Sequence, residues 1–240
     1  MNACDLFLIP LTEQVKRPAD QLASLVLQPA ELQELSYLQG RKHYQYLVSR
    51  FYLKIILSGV FGLPEPLAMQ LLRRKDLPPV LEPPFDIDIA ISHSADVVLL
   101  AVSRCGPVAV DVEQYRQRAF VEFAEAYFHP SIAGELKSLP LSAIEQRFYD
   151  YWARLESGLK LAKGSVLSDL ISRFYPARLC ADKIENRFYS YAAGYKGYSL
   201  AIAAASQLEV RAFVLSSDGE SFSFIPFADE FACMGFGINS

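Results

Sequence analysis

The chain has 240 residues, 52% of them hydrophobic and 21% charged, which is typical of a globular protein and excludes a largely disordered one. Its net charge of −4 excludes an overall electrostatic attraction to nucleic acid. The apolar runs are much shorter than a bilayer span and the first residues lack the features of a signal peptide, so we expect a cytoplasmic protein with no membrane partner.

The first half of the chain predicts a helical region followed by short strands. Residues 29–59 are rich in helix-forming residues, with a proline near the start and a glycine at the end. Alternating apolar residues in "FDIDIAIS" and "VAVDVE" predict half-buried strands, and the continuous apolar run "VVLLAV" between them predicts a buried one. Three strands in close succession indicate a meander.

The second half repeats this order of elements. Residues 119–128 and 143–162 have helical spacing, and "NRFYSYAAGY" and "YSLAIAAAS" are strand-like. The segment "GYKGYSLAIAAAS" also resembles the earlier "ISHSADVVLLAVS", which indicates a duplicated α+β unit. We therefore expect an N-terminal half over residues 1–106 and a C-terminal half with an extension over 107–240.

Two groups of polar residues suggest chemistry. Asp111 and Glu113 are two apart on a predicted strand, so their carboxylates project from the same face, and oxygen ligands of this kind suit magnesium. Trp152, Glu156 and Lys160 follow one another at spacings of four, which places them on one helical face. Alone, a Glu–Lys pair at this spacing is an ordinary surface ion pair. Together, the groups offer three carboxylates and an ammonium group that can meet phosphate oxygens.

A third motif lies in "ISHSADV", where a strand is predicted to end. Ser92 and His93 there can hydrogen-bond phosphate oxygens, although a polar hairpin turn explains an isolated SHS sequence equally well. The order SHS, VDVE and then W…E…K along the chain is far more specific than any of these motifs alone.

This combination resembles the 4'-phosphopantetheinyl transferase superfamily, and within it the larger, monomeric type similar to the activator of surfactin synthetase. These enzymes activate carrier proteins of nonribosomal peptide, polyketide and fatty acid synthesis. The resemblance covers roughly residues 29–206 and implies an α+β fold. In this fold, a pseudo-dimer of two similar α+β halves holds coenzyme A in the cleft between them. It also implies a monomer.

The resemblance implies a role for each motif. A serine hydroxyl of an apo acyl or peptidyl carrier protein attacks the β-phosphate of coenzyme A, and 3',5'-ADP is released. Magnesium bound to the acidic residues neutralises the pyrophosphate, and a carboxylate accepts the serine proton. The implied metal ligands are Asp111, Glu113 and Glu156; the catalytic pair is Glu156 and Lys160; the coenzyme A contacts are Ser92, His93 and Lys160.

The sequence departs from the family pattern at several cations. Leu155 stands where the family has a lysine before the helix glutamate, and Leu77 stands where an upstream lysine is usual. If a cation has simply been lost at Leu155, Leu155→Lys is expected to restore a contact; if the leucine is part of the core, it is expected to destabilise the protein. Lys75 is our candidate for a compensating coenzyme A contact, with support from Arg73, Arg74 and Lys163.

Two other functions stay open at this point. One is a degenerate family member that binds coenzyme A or a carrier protein without transfer. The other is an unrelated magnesium-dependent phosphohydrolase that uses the same carboxylates. Arg116 and Arg118, just after the acidic strand, are candidate contacts for the acidic helix that carrier proteins of these pathways generally present.

Overall fold

The computed structural model describes residues 3–74, 77–82, 85–162, 174–176, 188–218, 221–227 and 231–238, and shows a mixed α+β protein. The helices in these residues are α1 Glu13–Gln21, α2 Ala23–Val26, α3 Pro29–Ser36, α4 Gly40–Gly59, α5 Phe120–Tyr127, α6 Pro130–Ser138 and α7 Leu141–Leu161. The strands are β1 Ala3–Pro10, β2 Gln70–Arg74, β3 Leu77–Glu82, β4 Asp88–Ser94, β5 Val97–Ser103, β6 Val108–Gln114, β7 Phe174–Pro176, β8 Phe188–Tyr195, β9 Tyr198–Ala204, β10 Glu209–Ser217, β11 Phe222–Pro226 and β12 Ala232–Ile238. Among the described helices, none is long and apolar enough to cross a membrane.

Two five-stranded sheets form the centre of the molecule. The first has the order β11-β10-β1-β5-β4 and is antiparallel except for the parallel pair β1 and β10. The second has the order β6-β9-β8-β12-β7 and is antiparallel throughout. β2 and β3 form a separate hairpin.

The sheets pack face to face with a helical layer outside each of them. Alternate residues of β1 divide between two cores: Phe7 packs with the residues of α4, whereas Leu6 packs with Val110 and Ile202 of the second sheet. On the outer face of the second sheet, α7 approaches so closely that a Cβ on Gly158 would lie 2.3 Å from the Phe188 ring. Each large side chain buried in these layers contributes roughly 1.5–3 kcal/mol.

The predicted strands are confirmed, but the predicted meander is wrong. β4 and β5 form a hairpin, whereas β6 pairs with β9 in the other sheet. The reason is that β1 and β4 already occupy both edges of β5, so no hydrogen-bonding edge remains for a third strand. The apolar side chains of β6 instead pack against the face of the first sheet.

Residues 29–59 are helical as predicted, but they form two helices rather than one. The chain forms α3 and α4, which are separated at Gly40, where φ is +54° and the left-handed backbone favours glycine. The two similar segments noted in the sequence contain the second strands of the hairpins β4–β5 and β8–β9. β10 and β11 join the first sheet while β12 joins the second, and the boundary after residue 106 stays a prediction.

Candidate functional site

The candidate site lies where the edge strands of the two sheets run side by side, next to α7. Ser92 Oγ on β4 donates a hydrogen bond to Asp111 Oδ1 on β6 over 3.2 Å. Farther along the same two strands, the Gln114 backbone N–H donates to Ser94 Oγ over 3.2 Å. The SHS and VDVE motifs, 19 residues apart in the chain at Ser92 and Asp111, are therefore in direct contact.

The alternation of β6 explains why its carboxylates face α7. Val110 and Val112 point into the core between the sheets, so Asp111 and Glu113 point the other way. Asp111 is only 4% exposed. A buried carboxylate is costly unless it is hydrogen-bonded and paired with a cation, so the groups around it determine its chemistry.

Lys160 provides that cation from the last turn of α7. Its Nζ donates to Asp111 Oδ1 over 2.6 Å, to the Val110 carbonyl over 3.2 Å and to Ser92 Oγ over 3.3 Å. The lysine side chain is 40% exposed, so the cation reaches the buried carboxylate from the surface of the protein. Lys160, predicted to meet phosphate oxygens, thus contacts Asp111 of the acidic strand in this structure, and its contact with phosphate stays a prediction.

The second oxygen of Asp111 is different. Asp111 Oδ2 is buried and has no hydrogen-bond partner among the described residues. A buried, unsatisfied carboxylate oxygen typically costs a few kcal/mol. Such an oxygen is expected where a ligand or ion completes the site.

The other two carboxylates are also held in an unfavourable environment. Burial raises the pKa of Glu113 to about 7, and the negative charge of Asp111 adds to that shift. Burial likewise raises the pKa of Glu156 above its ordinary value, again with a contribution from Asp111. Lys160 opposes both shifts without cancelling them. Both glutamates are therefore protonated more readily than exposed ones, and a cation at the site would stabilise their charged forms.

Trp152 holds Glu113 from the side. Its indole N–H donates a hydrogen bond to the Glu113 carboxylate. The indole ring stacks on Phe148, with centroids 6.2 Å apart, and meets Phe123 edge-on at 5.2 Å. Sequence reasoning placed Trp152 on the same helical face as Glu156 but missed this role, which the long-range pairing of strand and helix creates.

His93 faces the other side of β4. Ile89 and Ile91 of this strand pack in the core beneath α4, so alternation places His93 on that side, whereas Ser92 faces β6. The imidazole lies near the charges of both Lys160 and Arg50; partial burial lowers its pKa, and the two cations add to this effect. The two predicted coenzyme A contacts of the SHS motif thus point in different directions.

Arg50 on α4 is a further charged residue near the site, and no role there was assigned to it from the sequence. It is buried, and its guanidinium lies 4.5 Å from the centroid of the Tyr46 ring. Its Nε makes no hydrogen bond to the described residues. A second cation therefore stands close to His93, on the α4 side of the site.

The structure does not test every predicted residue, and it contradicts the expectation for one of them. Lys75 and Lys163 lie outside the described residues, as do the side chains of Arg73 and Arg74. Leu155 is fully buried in the core beneath α7, so the idea that a cation was simply lost there is wrong. The position faces the packed interior of the molecule rather than a ligand.

The two arginines proposed as carrier contacts already have intramolecular partners. Arg116 Nε donates to the side chain of Gln114 over 3.3 Å. Arg118 lies over the rings of Phe148 and Tyr149 at 5.4 and 5.2 Å, although the residue is exposed. Both arginines support the loop after β6, and their proposed contact with a carrier protein stays a prediction.

The acidic residues fit a divalent cation in donor chemistry but are not gathered around one point. In the described part of the chain, no three His, Cys, Asp or Glu side chains form a group that could hold a metal ion together. The cation in contact with Asp111 is the Lys160 ammonium. Asp111 Oδ2 and the carboxylates of Glu113 and Glu156 are nevertheless oxygen donors of the kind that magnesium binds. The pKa values of both glutamates are raised by their burial.

Comparisons of this chain with protein-family models and with curated proteins return no match. The functional proposal therefore rests on the motifs and on the geometry of the site.

Proposed function

We propose that this protein is a 4'-phosphopantetheinyl transferase of the larger, monomeric type. It would move phosphopantetheine from coenzyme A to a serine of an apo acyl or peptidyl carrier protein. One observation carries the proposal: the SHS, VDVE and W…E…K motifs, widely separated in sequence, converge around Asp111, whose Oδ2 is buried without a partner. Such a convergence suits a ligand that combines a metal ion with phosphate groups.

The finer fold belongs to the same proposal. We infer a pseudo-dimer of two similar halves, residues 1–106 and 107–240, with coenzyme A in the cleft between them. Support comes from the hairpins β4–β5 and β8–β9, which contain the similar sequence segments and occupy one sheet each. The contact of β4 with β6 would then lie at the junction of the halves.

The chain's own residues would divide the work. Asp111, Glu113 and Glu156 would hold magnesium, which when bound supplies charge neutralisation at the pyrophosphate. Lys160 and Ser92 would donate hydrogen bonds to phosphate oxygens, while His93 would contact a phosphate from the α4 side.

Proton transfer is assigned to Glu156. Its carboxylate lies one helical turn before Lys160 on α7 and would accept the proton of the carrier serine there. No nucleophile is required from this chain, because the carrier supplies it. Positioning and charge stabilisation are what the protein contributes.

Mass spectrometry of a carrier protein tests the proposal. The protein is incubated with coenzyme A, magnesium and an apo carrier protein, and the carrier is weighed. A gain of the phosphopantetheine mass is the expected result. Cleavage of coenzyme A without carrier modification would identify a phosphohydrolase, and coenzyme A binding with neither reaction would identify a binding protein. Glu122→Gln, an exposed carboxylate on α5, is the matched control for variants of the acidic residues.

A further inference from the structure

The Lys160 ammonium occupies a position built from oxygen atoms. Its three partners are the Asp111 carboxylate, the Val110 carbonyl and the Ser92 hydroxyl, all within 3.3 Å of Nζ. Carboxylate, carbonyl and hydroxyl oxygens are also the ligands of hard metal cations. The lysine ammonium therefore occupies a position that is surrounded by oxygen atoms able to bind a metal ion.

The same lysine is able to leave. Its side chain is 40% exposed, whereas the side chain of Asp111 is 6% exposed, so the lysine is the member of the pair with open space to turn into. An ammonium group on a flexible four-carbon stem changes partners at little cost. Departure would free Asp111 Oδ1 beside Oδ2, which already lacks a partner among the described residues.

We propose that Lys160 is an internal substitute for the metal ion: it neutralises Asp111 in the ligand-free protein and exchanges with Mg²⁺ when a phosphate-bearing substrate binds. The identity of that substrate rests on the proposed function, but the exchange itself rests on the contacts of Lys160. In the exchanged state the ammonium turns from the carboxylate to the anionic substrate, since two cations at one carboxylate repel each other.

This exchange has a thermodynamic consequence. The lysine competes with Mg²⁺ in the free protein and therefore weakens metal binding until an anion takes the ammonium away. Mg²⁺ and coenzyme A must then strengthen each other's binding by the same factor, because coupling between two ligands is reciprocal. A protein whose lysine only binds substrate would show no competition with the metal.

Calorimetric titration of Mg²⁺ into coenzyme A-free protein tests the exchange. We expect Lys160→Met to bind Mg²⁺ at least about 10-fold more tightly than wild type, an effect of about 1.4 kcal/mol. The control Lys42→Met, which removes an exposed lysine of α4, is expected to bind like wild type. The fluorescence of Trp152, the sole tryptophan and a neighbour of Glu113, gives a second readout of the same site.

Stability provides a check on folding. Loss of the ammonium leaves Asp111 without its cation, so Lys160→Met is expected to have a lower Tm in EDTA and a larger gain in Tm from Mg²⁺ than wild type. Lys160→Gln keeps a hydrogen-bond donor without the charge and replaces the methionine variant if that one fails to fold. It carries the same expectation for Mg²⁺ affinity.

Equal, weaker or undetectable Mg²⁺ binding in the folded Lys160 variants would overturn the exchange. The carrier assay on wild type separates this result from the proposed function. Carrier modification with unchanged Mg²⁺ affinity in the variants removes only the exchange. Tighter Mg²⁺ binding without any carrier modification keeps the exchange and removes the transferase.

Discussion

Two lysine–carboxylate pairs in this molecule have the same chemistry but different surroundings. In the first, Lys54 of α4 meets Glu31 of α3, and both side chains are almost completely buried. In the second, the exposed stem of Lys160 reaches the buried Asp111. The carboxylate is buried in both pairs, so its burial alone does not distinguish a structural ion pair from one in a candidate functional site.

The difference lies in what remains unsatisfied. Glu31 accepts hydrogen bonds on both oxygens, because the Gln28 and Leu71 backbone N–H groups add to the contact from Lys54. Lys54 also donates to the Val26 carbonyl. Asp111, in contrast, keeps one buried oxygen without a partner among the described residues. We call the first pair closed, because both oxygens of its carboxylate have partners; it joins α3, α4 and β2. We call the second pair open, because one carboxylate oxygen is left for a ligand.

The largest loss of stability is expected from a lysine placed in the apolar core, where no carboxylate can pair with it. Leu155→Lys would insert an ammonium group into the fully buried core beneath α7. We expect a loss of at least about 5 kcal/mol in the free energy of unfolding, since packing is lost and an unpaired charge is buried. Urea unfolding measures this, with Leu155→Met as the volume-conserving control. A variant as stable as wild type with faster transfer would restore the idea of a lost cation.

Removing the charge of Glu31 from the closed pair is expected to lower the stability of the protein without changing its transfer rate. Glu31→Gln leaves Lys54 buried without its counter-charge, which costs about 3–5 kcal/mol of unfolding free energy. Burial already lowers the pKa of Lys54, and without Glu31 the amine would lose its proton more readily. Urea unfolding beside Glu122→Gln checks the loss, and the transfer rate per folded molecule should equal that of wild type. A stable Glu31→Gln variant would contradict the structural role.

The pH dependence of stability tests the charge imbalance of the open site. Burial raises the pKa of Glu113 from 4.5 to about 7, so its contribution to stability is complete below pH 4.5 and is lost as the pH rises through 7. We expect metal-free wild type to lose on the order of 2–3 kcal/mol more than Glu113→Gln between pH 5 and pH 8. Urea unfolding in EDTA measures both proteins. If the stability of the two proteins changed equally with pH, the pKa of Glu113 would not be raised in the folded protein.

The smallest effect concerns the α4 side of the site. His93→Ala should raise the KM for coenzyme A several-fold, about 1 kcal/mol, and change kcat less, because the imidazole holds a phosphate equally in the ground and transition states. Steady-state kinetics with varied coenzyme A measures this, and His93→Gln should recover part of the loss. An unchanged KM in His93→Ala would leave His93 as a residue of β4 without a role in coenzyme A binding.

Much of this molecule could be predicted from local patterns. Alternation and helical spacing gave the strands β4, β5 and β6 and the helix α7, and the motifs pointed to Asp111 and Lys160, which are in contact. Local patterns could not predict which strands pair or which helix face packs against a sheet. The pairing of β6 with β9 depends on β1 occupying the edge of β5, and the burial of Leu155 depends on which face of α7 meets the second sheet.

The hydrogen bond of Trp152 and the position of Arg50 have the same origin. Both residues touch groups far away in sequence: the Trp152 indole reaches Glu113 on β6, and Arg50 approaches His93 on β4. No local spacing encodes such contacts. The available signal was the presence of charged residues among the apolar residues of α4, of which Arg50 is one.

The most direct test of the open site is the transfer rate of Asp111→Asn. The asparagine keeps the size of the side chain and removes the charge that attracts both Lys160 and Mg²⁺. The mass gain of an apo carrier protein is followed over time with wild type, Asp111→Asn and Glu31→Gln at a temperature where all three are folded. We predict transfer by Glu31→Gln at the wild-type rate and a loss of about 10²-fold or more in Asp111→Asn, with its Tm within a few degrees of wild type. A folded Asp111→Asn variant that modifies the carrier within a few-fold of the wild-type rate would contradict the account.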